Sequence, residues 1–369
     1  MMNPSLYEDL REQMDQYSVG FPSTESGIEI EILKKLFTEQ EAEMYLNLSM
    51  MLETPQDVAK RMGRDSNQIG PLLERMFEKG QIFRVKKGGV SKYGAAPFVV
   101  GSYEHQVKDM DKEFAEMFER YFVEAFGRHG LAQSAPLRTV PVNKSISHLW
   151  QVQPYEDLKQ IIMTKEQISV ANCVCRVQQG LIDKGCGKPL EACLQFGSHA
   201  QYYVDKGMGR FITQEEALEI LDRCDEAGLV PQPFISQDTG GICNCCGDCC
   251  GILRSIKLHP KPVEKVLTNY YAEIDPSSCS ACETCMDRCQ MEAIRIGDDE
   301  VAQVDRDRCI GCGLCVTTCP SEAISLKTKP ESERKAPPST GRDYIMQLAS
   351  ARGKTLIPLA AIKRSQGHQ

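Results

Sequence analysis

Residues 279–289 read CSACETCMDRC and residues 309–319 read CIGCGLCVTTC, so one cysteine spacing occurs twice in a short stretch. Nineteen residues, 290–308, separate the two runs, and Pro320 follows the second run. Eight of the eighteen cysteines of the chain lie here. Three thiolates two residues apart can surround one face of a metal centre, and the fourth ligand must then come from elsewhere. The spacing predicts a thiolate-ligated centre at each run.

The spacing C-x2-C-x2-C-x3-C is similar to that of bacterial two-cluster ferredoxins. In that family the fourth cysteine of each run ligates the other cluster. The resemblance implies one [4Fe–4S] cluster on Cys279, Cys282, Cys285 and Cys319, and a second on Cys309, Cys312, Cys315 and Cys289. Gln290 stands after Cys289, where the family pattern has proline, so the surroundings of Cys289 depart from the pattern. Zinc is the rival ligand for paired CxxC motifs, and two interleaved four-cysteine runs disfavour it.

The residues around these runs predict the rest of a ferredoxin domain. AIRIGDDEVAQVD predicts a hairpin over Asp298 and Asp299, and AISL after Cys319 predicts a matching strand. The chain is expected to turn helical after Cys285 and after Cys315. Together these elements indicate the pseudo-twofold βαβ layout of a dicluster ferredoxin.

Composition and charge narrow the class of protein. The chain has 369 residues, 41% hydrophobic and 25% charged, which indicates two or three globular domains. The N-terminus shows no apolar leader or twin arginine, and no apolar run approaches 18 residues, so a cytoplasmic location is predicted. Oxygen-labile clusters indicate an anaerobe. The net charge is −8, yet the last fifty residues carry nine Lys/Arg against four Asp/Glu. This excess of positive charge predicts a basic docking tail.

Residues 28–110 have the pattern of a winged helix-turn-helix. Thr38 and Glu41 have capping-box spacing, Thr54-Pro55 starts a second helix, and two strand-like runs flank Gly88-Gly89. Sequence-specific DNA binding is disfavoured because Pro71 falls in the first turns of the third helix, where a recognition helix needs polar side chains. Residues 28–108 also carry twelve Lys/Arg against eleven Asp/Glu, with basic residues grouped in the wing at Arg84, Lys86, Lys87 and Lys92. A protein-contacting role is therefore predicted.

Residues 151–274 contain a second set of cysteines. Nine of them are candidate ligands of a further centre: Cys173, Cys175, Cys186, Cys193, Cys243, Cys245, Cys246, Cys249 and Cys250. Five lie within the eight residues 243–250, and thiolates of this kind favour an iron–sulfur cluster or zinc. One or two further [4Fe–4S] clusters, one cluster with a redox-active thiol pair, and a zinc ion all remain open. Cys224, on a helix face with Ile220 and Leu221, is expected to be a buried core thiol, and His199 a structural residue.

The predicted fold class is α+β and multi-domain. The segments are an N-terminal helical arm (1–27), a winged-helix-like domain (28–110), an amphipathic helix with a linker (111–150), a cysteine-rich α/β domain (151–274), a 2[4Fe–4S] ferredoxin domain (275–328), and a linker with a basic docking tail (329–369). Residues 328–341, TKPESERKAPPSTG, have the composition of a disordered linker.

Taken whole, the chain resembles multi-domain 4Fe–4S binding proteins of anaerobic bacteria, on the motifs CVCR, GCGKPLEACLQFGSHA, ICNCCGDCC and the two ferredoxin runs. The resemblance implies an electron-transfer subunit or partner of an anaerobic oxidoreductase, rather than an enzyme by itself. Two alternatives stay open: an oxidoreductase with its own thiol or cluster site at Cys173–Cys250, and a redox-sensing transcription regulator. The expected partners are redox proteins, with nucleic acid disfavoured and peripheral membrane association left open.

Overall fold

The structure is a computed structural model that describes residues 4–131, 135–147, 149 and 152–366. Its contacts divide the chain into two units. The first unit contains residues 1–133, 205–208 and 345–369, and the second contains residues 134–204 and 209–344. Helices and strands are mixed in an α+β fold, as the sequence predicted. The six segments predicted from sequence are finer than these two units and stay a prediction.

The N-terminal part is mainly helical. Its elements are α1 (Pro4–Tyr17), α2 (Ile28–Leu36), α3 (Glu39–Tyr45), α4 (Pro55–Met62), α5 (Ser66–Glu78), β1 (Ile82–Lys87), β2 (Val90–Ala95), α6 (Lys112–Tyr121) and α7 (Gly127–His129), with a π-helical turn at Phe122–Phe126. Thr38 and Thr54 close the N-termini of α3 and α4 with capping boxes, which confirms both predicted helix starts. Strands β1 and β2 form an antiparallel hairpin. The winged-helix assignment of these elements remains a prediction.

Aromatic side chains fill the core of this unit. Phe114, Phe118, Tyr121 and Phe126 from the predicted amphipathic helix are buried, and the rings of Tyr103 and Phe118 stack at 3.9 Å. These aromatic side chains of the predicted amphipathic helix are therefore part of the core.

The predicted basic wing is partly neutralised within the unit. Arg84 forms ion pairs with Glu74 and with Asp205. Its guanidinium also lies 3.6 Å from the centre of the Phe77 ring. Because two carboxylates already surround this guanidinium, Arg84 offers little free charge to a phosphate backbone.

The middle of the chain forms a five-stranded sheet with helices around it. Its elements are α8 (Asn143–Ile146), α9 (Leu158–Met163), β3 (Ile168–Asn172), α10 (Val174–Leu181), β4 (Glu191–Phe196), α11 (Ser198–Asp205), β5 (Gly209–Ile212), α12 (Gln214–Glu226), β6 (Val230–Pro233), β7 (Gly241–Cys245) and α13 (Gly251–Lys257), with 3-10 turns at Pro154–Glu156 and Pro262–Lys265. The strand order is β5-β3-β4-β7-β6. All four pairings are antiparallel, so the sheet lacks the parallel crossovers that the α/β label implies.

The dicluster region follows directly. Its elements are β8 (Tyr270–Ile274), α14 (Thr284–Arg288), β9 (Ile294–Ile296), β10 (Ala302–Val304) and β11 (Ile324–Thr328). Strands β9 and β10 form the predicted hairpin, and β8 pairs with β11. Helix α14 includes Cys285 as predicted, but residues 314–318 form turns and not the helix predicted after Cys315. Val316, Thr317 and Thr318 are β-branched there, and both threonine hydroxyls donate to the Leu314 carbonyl, at 3.1 and 3.2 Å, which competes with helical hydrogen bonding.

The C-terminal segment contains a 3-10 turn at Glu331–Glu333, α15 (Gly341–Ala351) and α16 (Leu359–Gln366). The stretch 328–341, which has a disordered composition, is held to the second unit by specific hydrogen bonds. The side chain of Asn269 accepts from the Lys335 N–H at 2.9 Å and donates to the Lys335 carbonyl at 3.1 Å. The Asn269 amide thus bonds both the N–H and the carbonyl of Lys335, as a neighbouring strand would. The composition of the linker does not predict this contact.

Candidate metal centres

Two cavities in the dicluster region are each lined by four cysteines. The first, of about 310 Å³, is lined by Cys279, Cys282, Cys285 and Cys319. Three of these belong to the first run and one to the second. Ala281 and Glu283 have positive φ, at 53° and 61°, and this left-handed backbone curves the first run around the cavity. Cys282 is exposed, so the cavity lies next to the surface.

The second cavity, of about 390 Å³, is lined by Cys289, Cys309, Cys312 and Cys315. Here also three cysteines come from one run and the fourth from the other. Backbone N–H groups point at two of the sulfurs: Ala293 N lies 3.2 Å from Cys289 Sγ, and Ala272 N lies 3.4 Å from Cys309 Sγ. Donors to cluster sulfurs are one of the means by which a protein sets a reduction potential.

The donor chemistry of both cavities fits an iron–sulfur cluster. Burial raises the pKa of Cys312 to about 12 and also raises the pKa values of Cys285, Cys289 and Cys315. Sulfurs in such positions carry a charge when a cation binds them, because the bound cation replaces the lost solvation of the thiolate. Four soft donors around each cavity are the ligand set of a [4Fe–4S] cluster.

The nine candidate cysteines of the middle domain are brought together from distant parts of the sheet. Cys173 precedes α10 and Cys175 lies in its first turn. Cys186 lies in the loop 182–190, Cys193 lies on β4, and Cys243 and Cys245 lie on β7. Cys246, Cys249 and Cys250 occupy the turn between β7 and α13. Strands β4 and β7 are neighbours in the sheet, with Cys193 opposite Cys243, and this pairing joins the two halves of the set.

Three of the nine sulfurs converge on one point. The Sγ atoms of Cys186, Cys246 and Cys249 all lie within 4.8 Å of one another, the one such group of potential ligands among the described residues. Cys246 and Cys249 are buried, whereas Cys186 is half-buried on its loop. A hydrogen bond from Cys249 lowers the pKa of Cys246 to about 4. The group therefore favours a thiolate at its centre.

The other six thiols form a continuous series. Cys193 contacts Cys243, which contacts Cys245; Cys245 contacts Cys250, Cys250 contacts Cys175, and Cys175 contacts Cys173. The Gln195 amide nitrogen also donates to Cys193 Sγ at 2.9 Å. Six sulfurs exceed the four that one cubane uses. The structure thus separates the nine thiols into a group of three and a group of six, which the sequence left undivided.

A buried arginine lies beside both groups and was not identified from the sequence. Arg176 is 3% exposed, and its Nη1 donates to the Asn244 carbonyl at 3.0 Å. Its Nε and Nη2 have no hydrogen-bond partner among the described residues. Burial alone would lower its pKa, but the negative charge of the nearby Cys173, Cys246 and Cys245 outweighs that effect and raises it. A buried guanidinium with free donors requires an anionic neighbourhood. The sequence signal that could have identified Arg176 is its position directly after Cys175.

Gln290 connects the dicluster region with the middle domain. Its Oε1 accepts a hydrogen bond from the Gly247 N–H at 2.8 Å and from Lys188 Nζ at 3.4 Å. Gly247 lies between Cys246 and Cys249, and Gln290 follows Cys289. A Cβ at Gly247 would collide with the Gln290 carbonyl oxygen. The residue that departs from the ferredoxin pattern is therefore the one in contact with the three-thiol group.

Further contacts fix the dicluster region against the same domain. Arg288 donates to the Glu226 carbonyl at 2.7 Å, at the C-terminus of α12, where cations are favoured by the helix dipole. Val142 N donates to the Cys312 carbonyl at 3.0 Å. These bonds hold the second cavity at a defined place on the middle domain.

Cys224 has the core position that the sequence predicted, and the structural role expected for His199 stays a prediction. Cys224 is 2% exposed in the hydrophobic core, and burial raises its pKa to about 12. His199 packs its ring edge-on against Phe234 at 5.9 Å, and burial lowers its pKa to about 4. Neither belongs to the three-thiol group.

Residues 272–326 match the family model of the 4Fe–4S dicluster domain. This similarity supports a 4Fe–4S binding protein. The match covers the two cysteine runs, β9 and β10, and most of β8 and β11, and it does not extend into the five-stranded sheet. Neither a curated protein nor a solved structure matches the chain significantly. Among the described residues, no helix has the length and apolar character needed to cross a membrane.

Proposed function

We propose that this chain is an electron-transfer protein with two [4Fe–4S] clusters, and that it serves an anaerobic cytoplasmic oxidoreductase as a subunit or partner. Cluster I is assigned to Cys279, Cys282, Cys285 and Cys319, and cluster II to Cys309, Cys312, Cys315 and Cys289. The observation that carries the proposal is the pair of cavities, each lined by three cysteines of one run and one of the other. Each cluster, when bound, takes up or releases one electron.

The two cluster sites differ in their exposure to solvent. This difference supports an order in which electrons pass between an external partner, the two sites and the middle domain. Cys282 of the first site is exposed, so an external redox protein can approach there. Cys309 and Cys315 of the second site are buried, and that site contacts the middle domain through Gln290 and Val142. We assign the first site to exchange with an external partner and the second to exchange with the middle domain.

The middle domain is assigned a third redox centre on the six-thiol group. Cys173, Cys175, Cys193, Cys243, Cys245 and Cys250 supply enough soft donors for a further [4Fe–4S] cluster. The free donors of Arg176 point to negative charge at this place, as metal-bound thiolates would provide. A disulfide or a set of neutral thiols would leave that buried guanidinium uncompensated.

Metal and sulfide analysis of the anaerobically purified full chain tests the proposal. We expect about eight irons and eight sulfides per chain from clusters I and II, more with a third cluster, and EPR signals of reduced [4Fe–4S] centres after dithionite treatment. A protein that contains zinc and no acid-labile sulfide would contradict it. So would a chain whose clusters cannot be reduced by any low-potential donor.

A further inference from the structure

The spacing of three sulfurs in the middle domain matches a single metal ion. Cys186 Sγ and Cys246 Sγ are 3.7 Å apart, and Cys249 Sγ lies within 4.8 Å of both. An ion bound by tetrahedral thiolates at about 2.3 Å sets neighbouring sulfurs about 3.8 Å apart. The Cys186–Cys246 pair thus already has the spacing that one tetrahedral ion needs, and the Cys249 sulfur lies near it.

The cysteines of the dicluster region are arranged differently from these three sulfurs. A cubane binds each of its cysteines at a different iron, so the sulfurs stand around the cluster and away from one another. Each of the two cavities there has four cysteines distributed around its lining. Among the described residues no three of the ferredoxin cysteines come within 4.8 Å of one another, whereas the middle-domain trio does. The structure therefore distinguishes two kinds of thiol site.

A buried positive charge supports an anionic centre at the trio. Arg176, 3% exposed, donates from Nη1 to the carbonyl of Asn244, two residues before Cys246, and its Nε and Nη2 have no hydrogen-bond partner among the described residues. Three thiolates around a divalent ion carry a net charge of about −1, which a guanidinium stabilises at low dielectric.

We propose that Cys186, Cys246 and Cys249 bind one tetrahedral divalent ion, zinc or iron, and that this mononuclear site is separate from the iron–sulfur clusters. Thiolate donors select these two ions. No histidine or carboxylate joins the three sulfurs among the described residues, so the fourth position belongs to a water molecule, as in three-ligand metal sites.

The ion also has a mechanical role in this arrangement. Cys186 lies on the loop 182–190, while Cys246 and Cys249 lie in the turn between β7 and α13. Their joint ligation ties the loop to the turn. Lys188 of that loop and Gly247 of that turn both contact Gln290 Oε1, so the site stabilises the contact surface of the dicluster region. This role does not depend on whether clusters I and II transfer electrons.

The test compares Cys186→Ser with Cys224→Ser in the full chain purified anaerobically. Cys186 is half-buried on a loop and Cys224 is a core thiol of the same domain that belongs to neither group. We measure zinc, iron and acid-labile sulfide per chain. We expect Cys186→Ser to lose about one metal equivalent and no sulfide, because a mononuclear ion carries no sulfide. Cys224→Ser retains every component, and the element that is lost identifies the ion.

A second measurement on the unmodified chain avoids any folding defect of a variant. A chelator such as EDTA should remove about one metal equivalent without sulfide, and zinc or ferrous ion added alone should restore it. Loss of iron together with sulfide in Cys186→Ser would assign Cys186 to a cluster and overturn the proposal. Unchanged metal content in both experiments would also overturn it. Absence of sulfide from the unmodified chain would instead contradict the electron-transfer function. The mononuclear site would then still be tested by the loss of zinc or iron from Cys186→Ser.

Discussion

Arg352 Nη2 donates hydrogen bonds to both carboxylate oxygens of Asp15, at 2.8 and 3.0 Å. Its Nη1 also donates to the carbonyls of Asp15 and Ser18, each at 2.6 Å. The basic segment near the C-terminus therefore binds the acidic helix near the N-terminus. Lys363 pairs with Asp9, and Arg364 donates to Asn47 at 2.8 Å. Four charges counted in the basic tail, with Lys354 on Asp15, are engaged within the first unit.

Replacing Arg352 by Ala should destabilise the packing of the tail on α1. Both partners are nearly buried, at 9% and 12% side-chain exposure, and the change leaves the carboxylate with Lys354 and the Phe21 N–H as its remaining partners, at a cost of about 2 kcal/mol. Amide hydrogen exchange of α1 should accelerate correspondingly. Lys363→Ala, in an exposed pair, is the control and should cost less than about 1 kcal/mol. Equal protection in the two variants would refute this assignment.

The same pair should make the tail sensitive to acid. Burial acts to raise the pKa of Asp15, but the Phe21 N–H and the Arg352 and Lys354 cations outweigh it, and the pKa is lowered from its usual value of 3.8. A lowered folded-state pKa contributes stability above the unfolded value and loses it as the pH falls through the folded value. Exchange protection of α1 should hold from neutral pH to about pH 4 and decline below it. Asp15→Asn should flatten this dependence, and a decline that persists in that variant would point to other carboxylates.

Gly247→Ala should disturb the contact between the three-thiol group and the dicluster region. The added Cβ meets the Gln290 backbone carbonyl, which cannot move aside as a flexible side chain could. We expect faster hydrogen exchange across residues 243–250, with overpacking costs of about 1–3 kcal/mol. Gly180→Ala is the matched control, because its Cβ meets nothing within 4 Å and alanine is favoured in a helix. A Gly247→Ala chain that exchanges like the control would show that the two regions are not in contact.

The exchange of fourth ligands predicts a particular non-additivity. Cys282→Ala should remove about four irons and four sulfides, and Cys282→Ala combined with Cys319→Ala should remove no more, because both residues line one cavity. Cys282→Ala combined with Cys289→Ala should remove about eight irons, since Cys289 lines the other cavity. Iron and sulfide analysis of the three variants decides the matter. The reverse pattern would mean that each run holds its own cluster.

Arg176→Met should weaken metal retention in the middle domain. Removing a buried positive charge beside Cys246 makes its metal-bound thiolate less stable, and changes next to metal ligands cost about 10–100-fold in affinity. Chelator competition at neutral pH measures this. Arg176→Lys keeps the charge and should retain most of the affinity. If the methionine variant holds its metal as tightly as the unmodified chain, Arg176 has no electrostatic role there.

Local elements of the fold were predictable wherever their signal lies within a few residues. The capping boxes at Thr38 and Thr54, the hairpin between β9 and β10 and the buried Cys224 all followed from neighbouring side chains. The helix expected after Cys315 was wrong because Val316, Thr317 and Thr318 are β-branched and both threonine hydroxyls bond to the Leu314 carbonyl, a competing local preference. The antiparallel sheet of the middle domain was not predicted, because strand order depends on contacts between distant segments.

The sequence by itself determined the cysteine spacing of the two runs, and with it their similarity to a 4Fe–4S dicluster domain, because ligand spacing within each run is a local property of the chain. The tertiary structure alone decided which thiols meet in the middle domain. Cys186 and Cys246 are sixty residues apart, and the antiparallel pairing of β4 with β7 brings their segments together. It also decided that Gln290 contacts Gly247 and that Arg352 contacts Asp15. Such pairs are set by packing and long-range hydrogen bonds, which spacing along the chain does not encode.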